Sequence, residues 1–136
     1  MNRLLLFILL LLVAGCSKWK TNEDYLNYLA SLVIQYQNKH GAVPESFDQA
    51  HSESGVVLPN RGDKYGRGLA YVDFQPDAFM FRSYGENNQN DLGFGDDLDI
   101  YYIAGKKVPR EALIAYLKSK KDSYYWDIYG SWFQKE

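Results

Sequence analysis

Between Ser83 and Ile100 the chain reads SYGENNQNDLGFGDDLDI, with five acidic residues (Glu86, Asp91, Asp96, Asp97, Asp99), three asparagines, three glycines and no lysine or arginine. Three chemistries compete for such a run. Calcium takes six to eight oxygen ligands from carboxylates, amides and backbone carbonyls. Asn87, Asp91, Asp96, Asp97 and Asp99 offer the side-chain oxygens, and the glycines let the backbone turn its carbonyls inward. The EF-hand spacing is absent, because the sixth position counted from Asn87 is Leu92, where that loop needs glycine. A carboxylate pair can also hydrolyse a glycosidic bond, but carboxylates on one short loop seldom face a rigid cleft. The third reading is a solvated turn in which Glu86 and Asp91 do no more than face water.

Other candidate chemistries are weaker. His40 and His51 lie eleven residues apart with no cysteine partner, so neither suggests a zinc site. His40 reads better as a cation at a helix end. No Gly-x-Ser-x-Gly element or phosphate-binding glycine loop occurs. Arg61-Gly62-Asp63 is an integrin-type tripeptide, a match too short to carry weight. The tail SYYWDIYGSWF is dense in aromatics. Trp126, Tyr129 and Trp132 either pack back on the fold or form a surface that docks a partner or stacks on a glycan.

The elements that must position these residues begin after an N-terminal segment of another kind. Arg3 precedes an apolar run, Leu4–Val13, far shorter than the ~20 residues of a membrane-spanning helix. Val13-Ala14-Gly15-Cys16 resembles the lipobox of bacterial lipoproteins, and Cys16 is the only cysteine. That resemblance implies cleavage before Cys16, acylation of its thiol (palmitate among the acyl chains) and a domain tethered to a membrane. Ser17 resembles the outer-membrane sorting signal, which implies a location on the outer membrane facing the periplasm. A single cysteine leaves no internal disulfide. Loss of residues 1–15 leaves 121 residues, and loss of Arg3 moves the formal net charge from −2 to −3. This length suits one domain, and the acidic balance gives no electrostatic case for nucleic acid. Twelve tyrosines and three tryptophans predict a core filled largely by aromatics.

Residues 16–22 form a short tether. Tyr25, Tyr28, Leu29, Leu32, Val33 and Tyr36 follow the i, i+3, i+4, i+7 rule, Thr21 and Asp24 suggest a cap, and Gly41 suggests a stop. The spacing predicts a helix over Asn22–His40. A short helix over Glu45–Ser52 and a loop over Ser54–Gly68 follow. Leu69–Phe74 and Ala78–Arg82, split by Gln75-Pro76-Asp77, predict a hairpin, and Ile100–Ile103 predicts a third strand. Pro109 opens a further helix to about Lys118, with Ala112, Leu113, Tyr116 and Leu117 on one face. The order predicts an α+β, two-layer domain with the long helix across one face of a small antiparallel sheet.

Three segments resemble the major pseudopilins of type II secretion. Tyr36–Pro44 (YQNKHGAVP) resembles the close of their long helix, and Asp63–Tyr71 (DKYGRGLAY) resembles their Asp-Pro-Trp-Gly segment entering the sheet. Phe81–Gly85 followed by a polar loop and Asp99-Ile100 resembles their calcium loop. The resemblance spans roughly Tyr25–Ile100 in the family's order. It implies a pilin-like domain over residues 23–104, an unexplained helical extension over 105–136, and a non-enzymatic role in envelope protein contacts, possible kinship with secretion machinery included. It also implies Asn87 and one of Asp96 or Asp97 as side-chain calcium ligands. The chain departs from the family in three ways. A lipobox-like segment replaces the polymerising helix, Lys64 and Tyr65 replace Pro and Trp, and Asn87 stands where the family has aspartate, one ligand charge fewer. Two readings from other classes are an envelope glycan-binding module using the tail aromatics and a small hydrolase using the acidic loop.

Overall fold

The computed structural model describes residues 19–90, 97–120, 124–130 and 133. Helix α1 spans Asn22–His40, as the spacing predicts. A reciprocal capping box opens it: the Thr21 hydroxyl accepts from the Asp24 amide at 3.1 Å, and the Asp24 carboxylate accepts from the Thr21 amide at 3.2 Å. Gly41 closes it at φ +79, its amide donating to the Gln37 carbonyl at 2.8 Å. Helix α2 covers Phe47–Ser54, two residues later than expected, with Ser46 as its N-cap.

Four strands follow: β1 Leu69–Phe74, β2 Ala78–Ser83, β3 Leu98–Ile103 and β4 Lys106–Val108. They form an antiparallel meander in the order β1-β2-β3-β4. β3 begins two residues earlier than its apolar run suggests. β4 was not foreseen, because its turn is Ala104-Gly105 rather than an Asn-Gly pair. Both turn residues take positive φ, +49 and +74, the two-residue geometry that matches strand twist.

Alternate residues of each strand face opposite sides of the sheet. On one side, Phe79, Phe81, Ile100 and Tyr102 pack against Tyr25, Leu26, Leu29, Ala30 and Val33 of α1. Phe79 stacks on Tyr102 with ring centroids 5.0 Å apart, and Phe47 of α2 meets Phe81 edge-on at 5.3 Å. On the other side, Val72, Phe74, Met80 and Tyr101 pack against Leu113 and Leu117 of α3 (Arg110–Ser119) and against Phe133. A short helix α4, Tyr124–Tyr129, adds Tyr129, whose ring meets Phe74 edge-on at 5.5 Å. The α+β class is therefore as expected, but the sheet is covered on both faces. Leu113 and Leu117 of α3, Tyr129 of α4 and Phe133 supply the second covering layer. Every residue of β2 is buried, which is what a central strand between two layers requires.

Candidate functional site

The acidic run finds its counter-ion one residue before it starts. Arg82 sits on β2 with no exposed surface, directly opposite Asp99 of β3 in the strand register. Its guanidinium grips that carboxylate with two bonds, Nε to Oδ1 and Nη2 to Oδ2, each 2.7 Å. Nη1 donates to the Asn90 carboxamide at 3.2 Å, and Asp97 Oδ2 stands 4.0 Å from Nε. The Tyr101 hydroxyl, two residues along the same face of β3, donates to Asp99 Oδ2 at 2.8 Å. Burial, and next the Asp99 carboxylate, push the Tyr101 phenol well above its ordinary value, so it stays a hydrogen-bond donor.

Tested as ligands, the expected residues divide. Asp99 has both oxygens spent on Arg82 and Tyr101. Asn87 is exposed and accepts from the Gln89 amide at 2.9 Å, a local turn. Asp97 is buried beside the guanidinium. Asp91 and Asp96 lie outside the described residues, as does Cys16. Among the described residues no group of three His, Cys, Asp or Glu side chains is placed to hold a metal ion. Among the described donors, the Asp97 and Asp99 carboxylates face the Arg82 guanidinium.

A second buried carboxylate lies at the same end of the sheet, against Ser83, the last residue of β2. Asp63 Oδ1 accepts from the amides of Tyr65 (2.8 Å) and Arg67 (2.9 Å), and Oδ2 from the Ser83 hydroxyl (2.6 Å) and the Asn22 carboxamide (3.2 Å). Asn22 returns the tie by accepting from the Lys64 amide at 3.1 Å. Four donors thus lock the 63–67 turn to the start of α1 and the end of β2. Gly62 is obligatory there, since a Cβ would lie 2.2 Å from the Arg67 carbonyl oxygen. With Asp63 wholly buried, the Arg61-Gly62-Asp63 tripeptide cannot be presented to a receptor.

The histidines are structural. His40 contacts Glu53 at 2.8 Å beside Lys39, also at 2.8 Å, joining the ends of α1 and α2. A ring nitrogen of His51 lies 2.7 Å from the Val56 carbonyl. A cavity of about 520 Å³ opens between α2 and the 58–62 segment, lined among others by Phe47, Asp48, His51, Leu58, Arg61 and Leu69. None of the described residues of the acidic run lines it. In the tail, Phe133 is buried against Phe74 and Tyr101, and Tyr129 is half-buried on Phe74. Trp132 and the side chain of Trp126 lie outside the described residues.

Sequence reasoning missed Arg82 because its window began at Ser83. The usable signal was a lone cation in the strand Ala78–Ser83, two positions beyond Met80 on one face, with an acid leading the next strand.

No protein-family model, no curated protein and no solved structure matches this chain. Among the described residues no helix is long and apolar enough to cross a membrane.

Proposed function

We propose that this chain is a lipid-anchored protein of the bacterial cell envelope whose pilin-like domain acts by protein–protein contact and performs no chemistry of its own. The observation that carries the proposal is the segment Val13-Ala14-Gly15-Cys16, which puts the only cysteine at the acylation position and three residues before Trp19, where the described domain begins. Two structural observations support the non-enzymatic part. Among the described residues, Asp99 of the acidic run is held by Arg82, and Asp63 is held by four hydrogen bonds. A long helix crossing an antiparallel meander supports the likeness to pilins, and kinship with type II secretion belongs to the proposal on the sequence resemblance alone.

The test has two parts. Intact mass of the mature protein is expected to show a chain beginning at Cys16 with acyl groups, and Cys16→Ser is expected to move the protein out of the membrane fraction. An unmodified thiol in the membrane-bound protein would overturn the anchor. Capture from envelope extract with the anchor intact is expected to retain a defined envelope protein. Retention of cell-wall glycan without protein would favour the glycan-binding reading instead.

A further inference from the structure

The Asp63 lock carries a surface with it. Lys64 folds back so that its ammonium donates to the Lys20 carbonyl at 2.7 Å. Tyr65 is 57 % exposed, and its ring lies 5.3 Å from the Lys64 ammonium and 4.7 Å from the Arg67 guanidinium. An exposed aromatic flanked by cations therefore stands beside the N-terminus of α1, with Lys20 next to it. Of the acids on the first turn of α1, Glu23 is engaged by Lys107 at 2.6 Å and Asp24 by the Thr21 amide. A rigid aromatic with basic neighbours is the chemistry that settles at an anionic lipid interface.

Chain length puts this surface at the membrane. On the lipid-anchor reading, Trp19 lies three residue steps from Cys16, a reach of about 10 Å when fully extended. Trp19 is fixed to α1 by ring contacts with Tyr25 (4.9 Å) and Tyr28 (5.1 Å), so the tether gains no slack from the domain side. The headgroup layer itself is roughly 5–8 Å deep on each side of the bilayer. The N-terminal end of α1 must then lie on the headgroups, whereas Lys39, at the far end of the helix, stands on the order of 25 Å away.

We propose that the Lys64–Arg67 turn, with Lys20, is a lipid-facing surface that seats the domain on anionic phospholipid headgroups with α1 rising from the membrane. The proposal rests on acylation at Cys16, and its test separates the two. The full acylated protein is placed in vesicles of phosphatidylcholine with one third phosphatidylglycerol, and lysine acetylation is mapped by mass spectrometry. Lys20 and Lys64 are expected to label about five-fold less than in detergent, the protection of roughly one basic residue at an anionic surface. Lys39 is expected to label equally in both. Protection at Lys20 is expected to fall in the double variant Lys64→Gln/Arg67→Gln, whose side chains make no contact the Asp63 lock requires, and in high salt. Equal labelling of Lys20 and Lys64 on vesicles and in detergent would overturn the proposal, and so would equal protection of Lys39. If the mass shows no acyl group, the anchor reading fails. Co-sedimentation of the unacylated chain with the same vesicles then decides the surface: binding lost in the double variant supports it, and no binding rejects it.

Discussion

Arg82 is the residue on which the sheet's charge balance turns. It is buried with Asp99, and removing one partner of such a pair leaves the other desolvated and uncompensated. Arg82→Met is expected to lower unfolding free energy by about 3–5 kcal/mol in chemical denaturation. The double variant Arg82→Met/Asp99→Leu is expected to recover much of that loss, because it removes both charges together. A double variant as unstable as the sum of the singles would show that the pair is not the unit. Since the guanidinium already supplies the compensating charge, the melting temperature is expected to be the same with millimolar calcium and with chelator. A rise with calcium would show that Asp91 and Asp96 complete a site that the described donors do not. The sequence disclosed these carboxylates but not their partner. Arg82 and Asp99 are 17 residues apart in the chain and become neighbours only through strand register.

Among the elements, α1 was legible to the residue, because both ends are set by local chemistry: a Thr21–Asp24 capping box and a left-handed Gly41. Gly41→Ala is expected to cost about 1–2 kcal/mol by thermal or chemical unfolding, the strain of a side chain in that conformation. A loss under a few tenths would mean that the helix end simply frays. Elements whose signals are non-local were less legible. β4 depends on a turn at Ala104 that is held from outside, by pairing with β3 and by the Ala104 amide donating to the Asp77 carbonyl at 2.8 Å, and α2 starts two residues after Glu45, with Ser46 in an N-cap position that makes no side-chain capping bond. The joint between α1 and α2 carries a pH dependence. Hydrogen bonds from Lys39 and then His40 hold the Glu53 carboxyl below its ordinary value of 4.5. A carboxyl lowered in the folded state stabilises fully above its unfolded pKa and loses that contribution as pH falls through the folded one. Acid titration of stability is therefore expected to be shallower below about pH 4.5 in Glu53→Gln than in the parent. Identical acid limbs would remove the ion pairs from the account. The site is exposed, so the effect is small.

At the scale of the whole molecule, the sheet has two cores, and residues 105–136 are needed for one of them. Leu113, Leu117 and Phe133 cover Val72, Phe74, Met80 and Tyr101. A chain ending at Gly105 is expected to lose cooperative unfolding and to aggregate, because it would expose that face and the buried Arg82 together. A soluble, cooperatively melting truncation would show instead that the portion before residue 105 folds alone. The second layer was foreshadowed in Ala78-Phe79-Met80-Phe81, an apolar run without alternation, which a sheet with one wet face does not contain. The same run also fits a simple hairpin, since an α-helix after the last strand looks like an appendage when pairing is unknown. The aromatic tail divides along the same line: Phe133 is core, Tyr129 is half-buried, and Ile128 is left 48 % exposed. The Arg82–Asp99 grip has one more consequence. A loop closed by a dissolved ion answers to the concentration of that ion, and it opens when a chelator or competitor arrives. Here the compensating charge is part of the polypeptide, present at one per loop from the moment of synthesis. The Arg82–Asp99 closure of β2 on β3 thus carries its own countercharge.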